Sequence, residues 1–329
     1  MIMTRTPLRI SIGGGGTDLP SYYREHGGGF VVSAAINKYI YISINRSFLP
    51  GYILKYSETE HASTCEEIRH PLLREALRLH DTASPLEVVS VADVPAGTGL
   101  GSSGTFLVGL LHALYAWGRR PVTAEILARE AVEIEMNRLG NPVGKQDPYI
   151  AAYGGLLCQE YLPNGEVRVT PLQIKDESLR ELRDSLMLFF IGDTRSSSPL
   201  LAEQKRLSEA HDATMIDSLH FARALGRQIR EALESGRVAE FGLLLHEHWM
   251  RKRSRCRHMS TCRIDAIYEL ACCEGGATGG KLVGAGGAGF LLFHTHDRRR
   301  LRDRMLRTGL MEMDFSFDYD GSVVLLRNV

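Results

Sequence analysis

Val88-Val-Ser-Val-Ala-Asp-Val-Pro95-Ala-Gly-Thr-Gly-Leu-Gly-Ser-Ser-Gly104 runs from a strand pattern into a glycine-rich loop, and the apolar stretch from Ser103 to Trp117 then has the length of a helix. Leu86–Val94 alternates as a half-buried strand does. The glycines of the loop remove Cβ atoms where backbone amides could meet a ligand, so close approach to an anion is open. The order strand, loop, helix sets Ser102 and Ser103 at a helix N-terminus. Unpaired N–H groups and the positive dipole end favour an anion there. The two hydroxyls can add a phosphate contact or a Mg²⁺ ligand. Taken alone such a loop is equally a plain turn, so its surroundings decide.

Better-known glycine motifs fail on those surroundings. Gly99-x-Gly101-x-x-Gly104 has the dinucleotide spacing, but its helix leads past Pro121 into a further helix expected over 123–138. The second strand and ribose-binding acid of a Rossmann unit are missing. Gly284-x-Gly286-x-x-Gly289 repeats the spacing, with an expected order of helix, loop, strand. Gly275 to Gly280-Lys281 mimics a P-loop until Leu282 falls where Ser or Thr is required, and no strand is expected before it.

Residues 28–48 are rich in β-branched and aromatic side chains and read as a pair of strands. Helical spacing appears over Pro71–His80, over 200–255 with Leu219, Ala222, Leu225, Ile229 and Leu233 on one face, and over Ile264–Cys273. Further strands are expected at Met187–Ile191, Phe290–Phe293 and Ser322–Leu326. A length of 329 residues suits two domains, and the change from strand-rich to helix-rich sequence puts a division near residue 180, giving 1–180 and 181–329.

The 39 basic and 39 acidic residues cancel, so no global field draws the chain to nucleic acid or an anionic membrane. Any phosphate affinity must be local. The basic run Arg251–His258 lacks interleaved aromatic platforms and reads as a solvated helix face, as does Arg298–Arg304. The first residues carry no apolar signal-like segment, and Phe106–Trp117 is too short to span a bilayer. With six cysteines and no C-x-x-C pair, a cytoplasmic protein with reduced thiols is expected. His246-Glu-His248 is spaced by two, which on a helix points the rings apart, and His294-Thr-His296 has no carboxylate or thiol that would complete a zinc site.

As a set the glycine segments resemble the GHMP kinase superfamily, whose three motifs occur here in the family's order. Thr6-Pro-Leu-Arg-Ile-Ser-Ile-Gly-Gly-Gly-Gly-Thr-Asp18 is similar to the first, Pro95–Gly104 to the second, and Lys281-Leu-Val-Gly-Ala-Gly-Gly-Ala-Gly289 to the third. Gly140-Asn-Pro-Val-Gly-Lys-Gln-Asp147 resembles the segment carrying the family's catalytic aspartate. The resemblance implies an α+β fold in two parts, an N-terminal domain of the ribosomal protein S5 domain 2 type and a ferredoxin-like C-terminal domain, with the site between them.

It also implies an ATP-dependent kinase using Mg²⁺. Pro95, Gly97, Gly99, Leu100, Gly101, Ser102, Ser103 and Gly104 would cradle the phosphates. Ser103 and Glu135, with Glu133 as the alternative, would hold the metal. Asp147 would take the acceptor's proton, and Arg9 would stabilise developing charge beside it. Gly15, Gly16, Thr17, Asp18, Gly144, Lys145, Arg195, Gly286 and Gly287 would contact the acceptor.

The form Gly-Gly-Gly-Thr-Asp18, with Gly-Lys-Gln-Asp147, looks most like the D-glycero-D-manno-heptose 7-phosphate kinases. These phosphorylate the C1 hydroxyl, giving the 1,7-bisphosphate used for GDP-heptose and surface polysaccharide. L-Fucokinase-like and galactokinase-like sugar 1-kinases share parts of the pattern, and a non-catalytic ATP- and sugar-binding sensor is the rival from another class. A sugar phosphate needs a second anion site, for which Thr194–Ser198, Lys205 and Trp249–Arg253 are candidates. The sequence is compatible with a homodimer.

Overall fold

A computed structural model describes residues 1–192, 194, 198–256 and 259–328. Arg195, expected at the acceptor, lies outside the described residues, as do Ser196, Ser197, Arg257 and His258. The α+β architecture in two parts is what the structure shows, as two separate sheets.

The first sheet is organised by β1 (Ile2–Gly13) and β2 (Gly29–Asn45), a long antiparallel pair. Residues 28–48 were expected to form two strands, but β2 is one continuous strand of 17 residues. Its first half is buried on both faces and its second half alternates, and that change of environment imitates a break in the pattern. The hairpin β3 (Tyr52–Lys55) and β4 (Thr59–Ala62), then β5 (Leu86–Ala92), extend the sheet beside the later half of β2. β6 (Leu156–Tyr161) and β7 (Val167–Pro171) extend it beside the earlier half.

The second sheet contains β8 (Leu186–Phe190), β9 (Ala277–Leu282), β10 (Phe290–Thr295) and β11 (Met311–Glu312), in the order β11-β8-β10-β9. The chain then returns, and β12 (Val323–Arg327) pairs with β1. The last strand of the 181–329 half thus belongs to the first sheet. The third glycine loop also differs from expectation, because β9 precedes it and makes it strand, loop, strand.

The helices are α1 (Pro20–Tyr23), α2 (Pro71–Leu79), α3 (Ser102–Trp117), α4 (Ala124–Val132), α5 (Gln146–Tyr153), α6 (Asp176–Ser185), α7 (Ser198–Glu209), α8 (Ala213–Glu234), α9 (Val238–Arg253), α10 (Cys262–Cys273) and α11 (Arg298–Arg307). α3 is apolar nearly all round because it is sandwiched against the first sheet. Gly109, which interrupts its apolar run, lets it lie on β1: Thr4 Oγ1 donates to the Gly109 carbonyl at 2.9 Å. The helical stretch 200–255 is broken twice. Asp212 caps α8 by accepting the Met215 amide at 2.8 Å, and Gly236 at φ +79° ends that helix.

α9 lies directly on β9. A Cβ on Gly279 would sit 2.0 Å from the Gly242 carbonyl oxygen, so backbone meets backbone at this contact. Gly279→Ala is expected to destabilise the protein by about 3 kcal/mol or more, since no flexible side chain can yield. Gly15→Ala, whose Cβ would meet nothing within 4 Å, should stay within about 0.5 kcal/mol. Urea unfolding of the two variants checks the contrast, and equal stabilities would disprove the close packing.

Candidate active site

The continuation of α4 is a π-helical turn over Glu133–Arg138, in which the Leu139 amide reaches back to the Ile134 carbonyl. The wider turn rotates Glu135 inward to 4 % exposure while Glu133 stays in solvent, bonded to Asn137. Glu135, not the alternative Glu133, therefore faces the second motif. Ser103 Oγ donates to Glu135 Oε1 at 2.7 Å. Burial pushes the Glu135 carboxyl up to about 7, against the Ser103 bond and with the Asp147 charge adding to the rise. Beside them Ser102 Oγ is buried with no hydrogen-bond partner among the described residues.

Arg9 projects from β1 into the same cleft. Its Nε and Nη2 donate to the two oxygens of Asp147 at 2.7 and 2.9 Å, and its Nη1 donates to the Gly99 carbonyl at 2.5 Å. The Arg9 amide donates to the Leu100 carbonyl at 3.0 Å, so strand and loop are fixed together. Glycines permit the crowding. A Cβ on Gly101, at φ +81°, would stand 3.2 Å from Asp147 Cγ, and one on Gly104 would stand 2.9 Å from Asp147 Cβ.

Asp18 is tied to the same segment. It accepts the Gly16 amide at 3.2 Å and the Gln146 amide at 3.1 Å, one on each oxygen. Gly144 must lack a side chain here, because its Cβ would fall 1.9 Å from Asp18 Oδ2. Burial raises the Asp18 carboxyl above its ordinary range, against the Gln146 amide bond and with Asp147 adding.

A cavity of about 930 Å³ contains these groups, with Gly15, Gly16, Pro95, Gly97, Gly99, Gly101 and Gly286 on its wall. Its volume suits a nucleotide with a second small molecule. Several expected contacts are absent from this wall. The Thr17 hydroxyl donates to and accepts from the Phe30 backbone and is fully buried. Lys145 turns away to the Gly165 carbonyl and lies 5.1 Å over the Tyr23 ring. Leu100 is core, Gly104 serves the packing of Asp147, and the Gly287 amide donates to the Met259 carbonyl. Each of these stabilises the loops that carry the reactive groups.

The basic run on α9 also needs correction. Arg251 stacks over Phe221 and Arg253 pairs with Asp265, but Lys252 and Arg255 are buried in the cavity wall with Lys281 and His248. The missed signal was spacing: His248 and Lys252 stand at i and i+4 on one face of α9, and Arg255 follows just past its end. Lys205 pairs with Glu209 at 3.9 Å and lies off the wall. The apolar far end, with Ile40, Leu72 and Phe106, had no signature in the sequence.

The donor set fits the groups the resemblance implied. A carboxylate and a hydroxyl are hard oxygen donors of the kind Mg²⁺ takes, and the unpartnered Ser102 Oγ beside a helix N-terminus suits a phosphate oxygen. Among the described residues no helix is long and apolar enough to cross a membrane.

The family model described as GHMP kinases N terminal domain matches residues 67–155, and that for GHMP kinases C terminal matches 229–309. The D-glycero-alpha-D-manno-heptose 7-phosphate kinase of Campylobacter jejuni is 30% identical, with 97% of each chain covered. A solved structure of a D-glycero-D-manno-heptose 1-phosphate kinase from Bacteroides thetaiotaomicron superposes with TM-score 0.82 at 26% identity, over 100% of both chains. The bifunctional fucokinase/GDP-fucose pyrophosphorylase of Arabidopsis thaliana is 26% identical over 90% of this chain, which spans 30% of that longer protein. Matches to both halves of the fold, and to a relative along its whole length, settle the lineage: the chain belongs to the GHMP kinases and is a phosphotransferase with an alcohol group as acceptor.

Proposed function

We propose that this kinase moves the γ-phosphoryl group of ATP onto the C1 hydroxyl of D-glycero-D-manno-heptose 7-phosphate, giving the 1,7-bisphosphate. That product would feed a GDP-heptose used for surface polysaccharide. The observation that carries the chemistry is the Arg9-clamped Asp147 carboxylate in one cavity with the Ser103–Glu135 pair. The choice of acceptor rests on the full-length similarity to the Campylobacter enzyme.

Phosphoryl transfer calls for positioning and charge neutralisation. The loop amides and the N-terminus of α3 receive the triphosphate, and the apolar end of the cavity receives the base. Ser103 and Glu135 would hold Mg²⁺, which neutralises charge on the β- and γ-phosphates when bound. Asp147 orients the acceptor hydroxyl and takes its proton as the oxygen attacks the γ-phosphorus and the bond to the β-bridging oxygen breaks. Arg9 keeps the Asp147 carboxylate fixed while both oxygens retain lone pairs for the acceptor. Asp18 accepts sugar hydroxyls. The working division is residues 1–180 for phosphate loop and base, 181–329 for the closing wall. An L-fucokinase-like acceptor is the second reading, supported by the Arabidopsis relative and a similar one in Bacteroides fragilis.

ADP release assayed over heptose 7-phosphate, fucose, mannose and galactose tests the acceptor. Turnover confined to the unphosphorylated sugars would sink the heptose reading. Asp147→Asn should lose about 10²–10⁴-fold in kcat while still binding ATP; a normal kcat would remove Asp147 from the mechanism.

Glu135 gives a prediction about stability. Below its ordinary value of 4.5 the carboxyl is protonated in both the folded and the unfolded chain. As pH rises to about 7, the fold must retain the proton or bury a charge, so stability is lost across that window. Glu135→Gln should therefore raise the unfolding free energy of the ligand-free protein at pH 8 by up to about 3 kcal/mol. No gain is expected at pH 4, and activity should fall at both pH values. Denaturant melts at pH 4 and pH 8 check the contrast.

A further inference from the structure

Lys252, Arg255 and Lys281 bring three basic side chains into the cavity wall, each with at most 6 % of its surface exposed. Among the described residues none has a carboxylate within ion-pair distance. Lys252 Nζ donates to the Leu282 and Gly284 carbonyls at 2.9 and 2.6 Å. Lys281 Nζ stands 3.4 Å from both Ser11 Oγ and His248 Nδ1. Arg255 Nε donates to Ser218 Oγ at 3.0 Å and its Nη1 to the Gly15 carbonyl at 3.2 Å. These partners are neutral, so they orient the donors without cancelling the charge. Nearby Arg9 adds nothing to cancel it either, being itself matched by Asp147.

A buried, uncompensated cation costs several kcal/mol, and three together also repel one another. Burial, then repulsion from neighbouring cations, pushes the Lys252 ammonium down to about 7 and lowers Lys281 well below its ordinary value. An anionic ligand removes this penalty, and it has two candidate sources here, the triphosphate or a phosphate already on the acceptor. Position separates them. The groups assigned to the triphosphate (the α3 N-terminus, Ser102 and Ser103) belong to the second motif, with Glu135 bonded to Ser103 from the turn after α4. Arg255 instead grips the Gly15–Gly16 turn, where Gln204 Nε2 also donates to the Gly16 carbonyl at 3.1 Å. That turn leads into Asp18, on the acceptor side of Asp147. A guanidinium with donors left over, backed by two ammonium groups, matches a phosphate dianion.

We propose that Arg255, with Lys252 and Lys281 behind it, forms the subsite for the phosphate that the sugar acceptor already carries. The subsite selects phosphorylated over free sugar. It takes Lys252 from the Trp249–Arg253 candidate in place of Lys205, and it deepens the heptose phosphate reading on which its ligand rests.

The test uses the full chain loaded with Mg²⁺ and a non-hydrolysable ATP analogue, titrated with inorganic phosphate in a calorimeter. The wild type should bind phosphate, and Arg255→Gln should weaken that binding tenfold or more. Unchanged affinity for the ATP analogue reports that the variants are folded, and Arg255→Lys should restore part of the loss. In turnover, KM for heptose 7-phosphate should rise at least tenfold in Arg255→Gln, with KM for ATP and for unphosphorylated heptose nearly constant. Loss of ATP-analogue affinity in place of phosphate affinity would overturn the proposal in favour of a triphosphate role. Undiminished phosphate binding would overturn it outright. A wild type that binds phosphate through these residues but does not turn over heptose 7-phosphate keeps the subsite and sinks the heptose reading. Equal turnover of that sugar by wild type and variants does the reverse.

Discussion

A guanidinium and a carboxylate held by two parallel hydrogen bonds join three parts of the chain that are far apart in sequence. Arg9 comes from β1, Asp147 from the first turn of α5, and the Gly99 carbonyl that takes the third donor comes from the second motif. The pair is charge-assisted and bidentate, which makes it directional as well as strong. It also lies at the cavity wall with Arg9 almost wholly buried, so neither partner can be lost without stranding the other. The glycines at 101 and 104 leave room for these groups to come together. α3 packs on β1 at Gly109 and on Asp147 and Pro148 of α5 at Gly104.

Around this pair the cavity carries charge of both signs that the ligand-free protein does not compensate. Glu135 and Asp18 are carboxylates raised by burial, whereas Lys252 and Lys281 are ammonium groups lowered by it. The signs are segregated: Glu135 meets the second motif and Asp18 the Gly16 and Gln146 amides, while Lys252 and Lys281 stand on α9 and β9. Such segregation opposes folding but favours a ligand bringing phosphates and a divalent cation together, since both sets are then neutralised at once. Active-site strain of this kind is electrostatic, and the well-packed cores of the two sheets offset it.

Much of this was legible from local pattern. The strand, loop and helix of 86–117 are nearly as spacing predicts, and the inward face of α8 was visible as Leu219, Ala222, Leu225, Ile229 and Leu233. Arg9, Ser103, Glu135 and Asp147 do share one cavity. What stayed hidden depended on tertiary contact. No periodicity distinguishes Thr17 bonded to Phe30 from Thr17 facing a ligand, or shows that Lys145 swings toward Gly165. The continuity of β2 was masked because burial changes along it, and β9 was masked because Gly279 and Gly280 answer to α9 and Phe293 rather than to strand propensity.

The glycines show why dense glycine is an ambiguous signal. Gly97 and Gly99 face the cavity, where missing side chains leave backbone available to phosphate. Gly144 is glycine because Asp18 occupies the place its Cβ would need, and Gly104 because Asp147 does. Gly284 and Gly99 press backbone to backbone, a Cβ on Gly284 standing 2.5 Å from the Gly99 oxygen. The third motif therefore acts largely through the second, closing its loop from behind. Lys252 then holds that closure through the Leu282 and Gly284 carbonyls, so one buried ammonium both fixes the loop and adds charge to the cavity.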